Sequence, residues 1–427
     1  MTKRVRAVLV LIVALAAMGL ANCDHYNCSS GLNFGASTCT ASAPGLGSST
    51  SGGSATAAFV FAVDTGTSTA GTIDGYTLNT SANTFGPTPS YTAPAIPGGD
   101  LGAGMAVAQS QFLYAGFGST ETIYGWSIGT AGTLTAINGS PYAAPFMSTV
   151  GFGPGSVSMI TNPAGTLLFF ADTFQDEIVV YQIGTDGALT AGSTVSVPLS
   201  PVNMTTDGLG KYLYVTQASN GHVGSEVAAY VIGSTGSLTA VPGSPFVGTG
   251  FTMWQVQGEP TGKFLIGTTG RNLAVNGADD DHLYVFSIAQ SGANAGAITP
   301  VGTPVVTQFS PFSIAVQSNA SGNLVYSFSL NDTETGFNGI EGYQLSSTGT
   351  LTAVTGSPFA ESANGSWGQF DQSGSFLFAY GAILNESTDV VTAQLGPLAV
   401  GSGGVLTEPI SSLTLATPGF WVVTDPK

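Results

Sequence analysis

Asp207-Gly-Leu-Gly-Lys-Tyr-Leu-Tyr-Val215, with Tyr230-Val-Ile232 and Leu238-Thr-Ala240 behind it, is one complete unit of the pattern that decides the fold. An acidic residue followed three positions later by Gly suits a tight hairpin, because the carboxylate can bond the turn's backbone and Gly takes positive φ. The run Tyr212 to Val215 is apolar at every position, as expected of a strand buried on both faces. Tyr230 and Ile232, two apart, read as one face of the next strand, and a short Gly turn leads to Leu238-Thr239 on a fourth.

The unit recurs along the whole chain. Trp126-Ser-Ile128 leads to Leu134-Thr135, Tyr181-Gln-Ile183 to Leu189-Thr190, and Tyr343-Gln-Leu345 to Leu351-Thr352, with anchor and Leu eight residues apart each time. Leu398-Ala-Val400 keeps that spacing, Phe286-Ser-Ile288 carries four extra residues, and Tyr76-Thr-Leu78 opens a looser first copy. The hairpin turns recur as Asn162 to Gly165, Glu259 to Gly262, Asn319 to Gly322 and Asp371 to Gly374. Seven anchors spaced 49 to 57 residues apart predict an all-β, seven-bladed β-propeller of four-stranded antiparallel blades. The first unit lacks an innermost strand, and the chain ends on an unpartnered Gly419-Phe-Trp-Val-Val-Thr424. The ring is therefore expected to close by the C-terminal strand joining the N-terminal blade, which removes the open sheet edges.

Charge narrows the partners. The 427 residues hold 24 Asp and Glu against seven Lys and Arg, a formal charge of −17, and three of the cations (Lys3, Arg4, Arg6) lie in the first six residues. Four cations in the rest of the chain cannot follow a phosphate backbone or dock on anionic lipid, so nucleic acid is excluded as a partner. A monomeric chain is expected.

Residues 1–22 read as a signal peptide, with a positive start and an apolar run, Ala7 to Leu20, too short to span a bilayer. Leu20-Ala21-Asn22-Cys23 resembles the bacterial lipobox, apart from Asn22 where a small residue is usual. The resemblance implies export, lipidation of Cys23 and attachment to a membrane of the bacterial cell envelope. Cys28 and Cys39 then remain as a pair for a disulfide, the alternative being a bond from Cys23 to one of them. Residues 23–56 form the tether, Ala-, Ser-, Gly- and Thr-rich from Thr40 on with a reach of roughly 20 to 25 Å, and 57–427 the propeller.

The outer-strand phrase Leu238-Thr-Ala-Val-Pro-Gly-Ser-Pro-Phe246, echoed at Leu351 to Phe359 and Leu134 to Tyr142, resembles the repeat of the lactonase-family propellers, relatives of the YVTN repeat proteins. The resemblance runs over nearly all of residues 57 to 427. It implies the seven-bladed fold, and for some members lactone hydrolysis, on substrates such as 6-phosphogluconolactone. Many relatives have no known reaction. The family's hairpin turns often read His-Pro-x-Gly, and here Asn162-Pro163 and Glu259-Pro260 stand in their place.

Most acidic residues fall in or beside the connections between the second and third strands of each blade, which gather on one face. Asp172, Asp176, Glu177, Asp279, Asp280, Asp332 and Glu334 are the candidates there for holding a ligand or a hard cation such as Ca²⁺, with solubility as the competing reading. No motif requires a cofactor. The fifth blade's loop also brings Arg271, Asp281 and His282 together. His282 would serve as general base, Arg271 would hold a carboxylate or developing oxyanion, and Asp281 would orient the imidazole. The bland alternative is an Arg–Asp pairing that pins a long loop. Trp254, Trp367 and Trp421 fall on innermost strands, where they either stack on a ligand or fill the space between blades. No Gly-x-Ser-x-Gly elbow, paired His ligands or Gly-Lys phosphate loop is present. The expectation is a small-molecule or protein ligand bound noncatalytically over the acidic face. Hydrolysis of a nonphosphorylated sugar-acid lactone and an envelope scaffold are the alternatives.

Overall fold

The computed structural model describes residues 56–64, 70–87, 96–97, 104–117, 121–144, 157–172, 175–218, 226–247, 253–268, 281–308, 311–329, 339–360, 367–385, 390–415 and 421–424. Residues 1–55, which take in the expected signal peptide and all of the expected tether but Thr56, with Cys23, Cys28 and Cys39, lie outside them. The described residues form seven small antiparallel sheets, six of them with four strands in chain order and one that takes its innermost strand from the far end of the described chain. Strands are lettered A to D from the channel outward. In blade 4 they are Ser200–Thr206, Tyr212–Ala218, Glu226–Ile232 and Leu238–Ala240. A and C run from the upper face to the lower, B and D return, so A–B turns lie below and B–C loops above.

Blade 1 takes strands B, C and D from Thr56–Asp64, Ala70–Asn79 and Thr84–Pro87, and its strand A from Trp421–Thr424. Phe59 faces Thr424 and Ala62 faces Trp421, so the last strand closes the ring against the first as the sequence predicts. The core fits the closure, since Phe59 and Phe61 of blade 1 share one buried cluster with Leu113 of blade 2 and Phe378 of blade 7.

The D strand departs from a plain four-stranded unit. In five blades a second short segment pairs with strand C beyond a break, as Phe246–Val247 does in blade 4. In blades 2 and 4 the recurrent Gly-Ser-Pro phrase sits at that break, and in blade 6 it precedes a single bridge from Phe359 to Ile340, with cis peptides at Ser140-Pro141, Ser244-Pro245 and Ser357-Pro358. At each, the Ser Oγ accepts a 2.9 Å hydrogen bond from a strand C backbone N–H, of Gly125, Ala229 and Gly342. The phrase thus supplies by side chain the ladder bond that the break removes.

Candidate functional site

The lower end is sealed by local chemistry. Asn162 accepts from the N–H groups of Thr166 and Leu167, both at 2.9 Å, and Asp207 from those of Lys211 (2.6 Å) and Tyr212 (2.8 Å). Glu259 and Asp371 repeat the arrangement, bonding Lys263 N and Phe376 N, both at 2.7 Å. The tight hairpins stand as the sequence predicts, and their acidic residues are also buried, Asp207, Glu259 and Asp371 each at most 2% exposed. Neighbouring turns cover one another: a Cβ on Gly208 would lie 2.3 Å from the Pro260 carbonyl oxygen. Burial raises the carboxyl pKa of Asp207 and Asp371 above the ordinary value, against the backbone N–H bonds that lower it.

The channel wall is stitched laterally. Strand A has an inner edge without a ladder partner, and amide or hydroxyl side chains of neighbouring blades supply one. Asn203 Oδ1 accepts from Val256 N at 3.2 Å, Thr205 Oγ1 from Gly258 N at 3.2 Å, and Gln255 Oε1 from Ile314 N at 2.8 Å. Thr161 donates to the Val107 carbonyl at 2.8 Å. The wall is polar and already satisfied, so a ligand meets few free groups until it reaches the upper mouth.

At the upper mouth the predicted residues separate into groups. Asp172 and Glu177 face each other across the B–C hairpin of blade 3, Leu167–Asp172 and Glu177–Ile183. Asp172 is buried and accepts from Gln175 N at 3.0 Å, which closes the hairpin. Asp176, at φ +54°, accepts from Ser200 Oγ at 2.7 Å and gives its carbonyl to Val197 N, so it ties the crossover from blade 3 to blade 4. Asp281 gives its carbonyl to Thr307 N at 2.8 Å. His282 opens strand C of blade 5, His282–Ile288, with its ring 6.3 Å from Tyr284. That strand stands two ladder spacings outside the channel wall, roughly 10 Å. Arg271, Asp279, Asp280, Asp332 and Glu334 lie outside the described residues. Among the described residues no three His, Cys, Asp or Glu side chains converge as a metal group.

The acidic face is less solvated than its composition suggests, because Asp172 and Glu341 are buried. Glu341 accepts from the Tyr343 hydroxyl and from Gln308 N at 2.8 Å, holding the crossover from blade 5 to blade 6. Burial, then the Glu341 bond and charge, push the Tyr343 hydroxyl pKa up. Trp367 packs as core, edge-on to Phe312 at 5.1 Å and 5.9 Å from Tyr380. Trp254 lies 5.4 Å from Phe312 and remains half-buried. Sequence reasoning missed Gln217, and it read Glu341 as one more solvated carboxylate and Tyr343 as a packing anchor, because the tie from Gln308 to Glu341 joins residues of different blades and carries no local signal. A cleft of about 300 Å³ lined by Tyr284, Pro300, Val301 and Pro304 sits on the outer rim of blade 5, far from the axis.

No family model matches the chain. A 105-residue stretch is 31% identical to a 6-phosphogluconolactonase of Xenorhabdus nematophila, covering 24% of this chain and only 29% of that protein. Among solved structures, a candidate 6-phosphogluconolactonase of Bacteroides uniformis superposes with TM-score 0.62 at 17% identity, over 87% of this chain and 100% of that one. The periplasmic gluconolactonase of Pseudomonas aeruginosa gives 0.59 at 15%, over 87% and 100%. The structural neighbours are thus 6-phosphogluconolactonase-like proteins of the lactonase family, and this chain shares their seven-bladed fold.

Proposed function

We propose that the protein is a lactonase-type hydrolase that opens a neutral, nonphosphorylated sugar-acid lactone over the upper mouth, held at the cell envelope by lipid on Cys23. The sequence match to a 6-phosphogluconolactonase carries the reaction class, and the shared fold supports it. Charge argues for a neutral substrate. Lys211 and Lys263 are exposed on the lower A–B turns, so among the described residues no Lys or Arg stands at the upper mouth to bind a phosphate, and of the cations after residue 6 only Arg271 falls in a B–C connection of the sequence.

In the reaction, water adds to the lactone carbonyl, the ring C–O bond breaks, and the ring oxygen takes up a proton. A base must accept the proton of the attacking water, an imidazole being suited near neutral pH. His282 is assigned that part, Asp281 orients it, and Arg271 steadies the oxygen on which charge develops. The product is a carboxylate, which the acidic loops repel, so product would leave faster than substrate.

The test is a panel of aldonolactones followed by proton release. Purified protein should hydrolyse at least one member, and His282→Ala should lower kcat about 100-fold or more with the fold intact. A folded protein inactive on the whole panel would overturn the enzymatic reading in favour of simple ligand binding. Export and anchoring are tested by mass spectrometry of the mature N-terminus and by Cys23→Ser, which should release the protein from membranes.

A further inference from the structure

The interface between blades 3 and 4 carries an arrangement of acceptors without donors. Gln217, next to last in strand B of blade 4, is 0% exposed, and its Nε2 donates to the Leu199 carbonyl at 3.2 Å. That bond fixes the orientation of the amide. Its Oε1 is then buried without a partner among the described residues. A fully buried carbonyl oxygen with no donor is uncommon and calls for something to fill the gap.

Its neighbours are also acceptors. Gln217 faces Glu226 directly across the B–C ladder, and directly opposed residues share one side of a sheet. Leu213 and Val215 of the same strand, and Ala228 and Tyr230 of the partner, pack in the buried cluster with Phe169 and Ile178 of blade 3. By strand alternation Gln217 and Glu226 share the side on which Val215 and Ala228 pack, the side toward blade 3. The Glu226 carboxylate is half-buried and forms no hydrogen bond or ion pair with the described residues. The crossover supplies more oxygen: the Leu199 carbonyl, which accepts one bond and has a second lone pair, and the Asp176 carboxylate reached through Ser200.

We infer that Gln217 Oε1, the Glu226 carboxylate, the Leu199 carbonyl and Asp176 form a binding site for a single divalent hard cation, of which Ca²⁺ is the best fit, at the upper seam of blades 3 and 4. Two carboxylates with two neutral carbonyl oxygens and water make a ligand set that Ca²⁺ accepts and that Mg²⁺, with its stricter octahedral demand, accepts poorly. The pairing also accounts for the two unsatisfied acceptors at once. It stands independently of lactone chemistry, since the seam is a joint between blades and not the channel mouth.

The test uses the full exported chain stripped with EDTA. Adding CaCl₂ should raise the melting temperature by about 2 °C or more, with MgCl₂ at the same concentration giving less. Glu226→Gln and Gln217→Met should each remove most of the Ca²⁺ response while leaving the metal-free melt close to wild type. Calorimetric titration should give one site in the wild type and none in Glu226→Gln. Absence of any Ca²⁺ response, or an equal response in wild type and both variants, overturns the assignment. The second result would place the ion elsewhere and leave water as the partner of Gln217.

Discussion

The two ends of the channel are built by opposite means. Below, the A–B turns of blades 3 to 7 are short and similar, and their acidic or amide residues are spent on backbone N–H groups a few residues away. Above, the B–C connections differ in length, and the described carboxylates are divided among hairpin closure, crossover ties and the acceptor-rich seam at Gln217. One end is repetition that fixes the ring's geometry. The other is variation on that base, which is where a site for a ligand belongs.

If that division holds, changes below should cost stability and spare chemistry. Gly187 is the most severe case: it has φ +81°, and a Cβ there would lie 2.4 Å from the Phe112 ring of the preceding blade. Gly187→Ala is expected to cost about 3 kcal/mol in chemical denaturation. Asp207→Ala should follow at about 2 kcal/mol, because it strands the buried N–H of Tyr212 and the part-buried N–H of Lys211. Either variant losing lactone turnover while still folded would break the comparison. At the upper end Asp176→Asn should cost under about 1 kcal/mol, since Asn tolerates the same backbone and Ser200 can still bond it.

Asp371→Asn gives the smallest effect and sharpens the account of the lower end. Burial raises the Asp371 pKa above 3.8, so the folded state holds the proton more tightly than the unfolded chain. Its contribution is fully present below pH 3.8 and is lost as pH rises through the folded value. Wild type should therefore gain on the variant in melting temperature as pH falls from 7 toward 4. A difference that stays flat or widens the other way would show that Asp371 is not held against its charge. Asn162 and Asn319 already occupy the same place in blades 3 and 6, which suits the substitution.

The lower end was also the legible one. An Asp or Asn with Gly three positions on is a local code, and every such turn stands where the spacing puts it, with positive φ at Gly165, Gly210, Gly262, Gly322 and Gly374. Ring closure was legible for a related reason, a missing first strand and a spare last one. The burial of Asp207, Glu259 and Asp371 was not, because it comes from contact between turns about fifty residues apart. Nor was the bonding of Tyr114 to Gly187 O at 2.7 Å and of Tyr214 to Gly296 O at 2.9 Å, a B strand hydroxyl reaching the next blade's outer turn. The upper site depends on the same kind of distant pairing: Gln217 reads as an ordinary polar residue at a strand end until Leu199 and Glu226 are set beside it.

The clasp between Thr56–Asp64 and Trp421–Thr424 also has a consequence for synthesis. Thr56–Asp64 gains its inner neighbour only once the chain has been made as far as Trp421–Thr424. Until then blade 1 presents an unpaired edge and the ring is an arc. An edge left open for so long is the part of the ring most exposed to pairing with another chain before the circle is drawn shut.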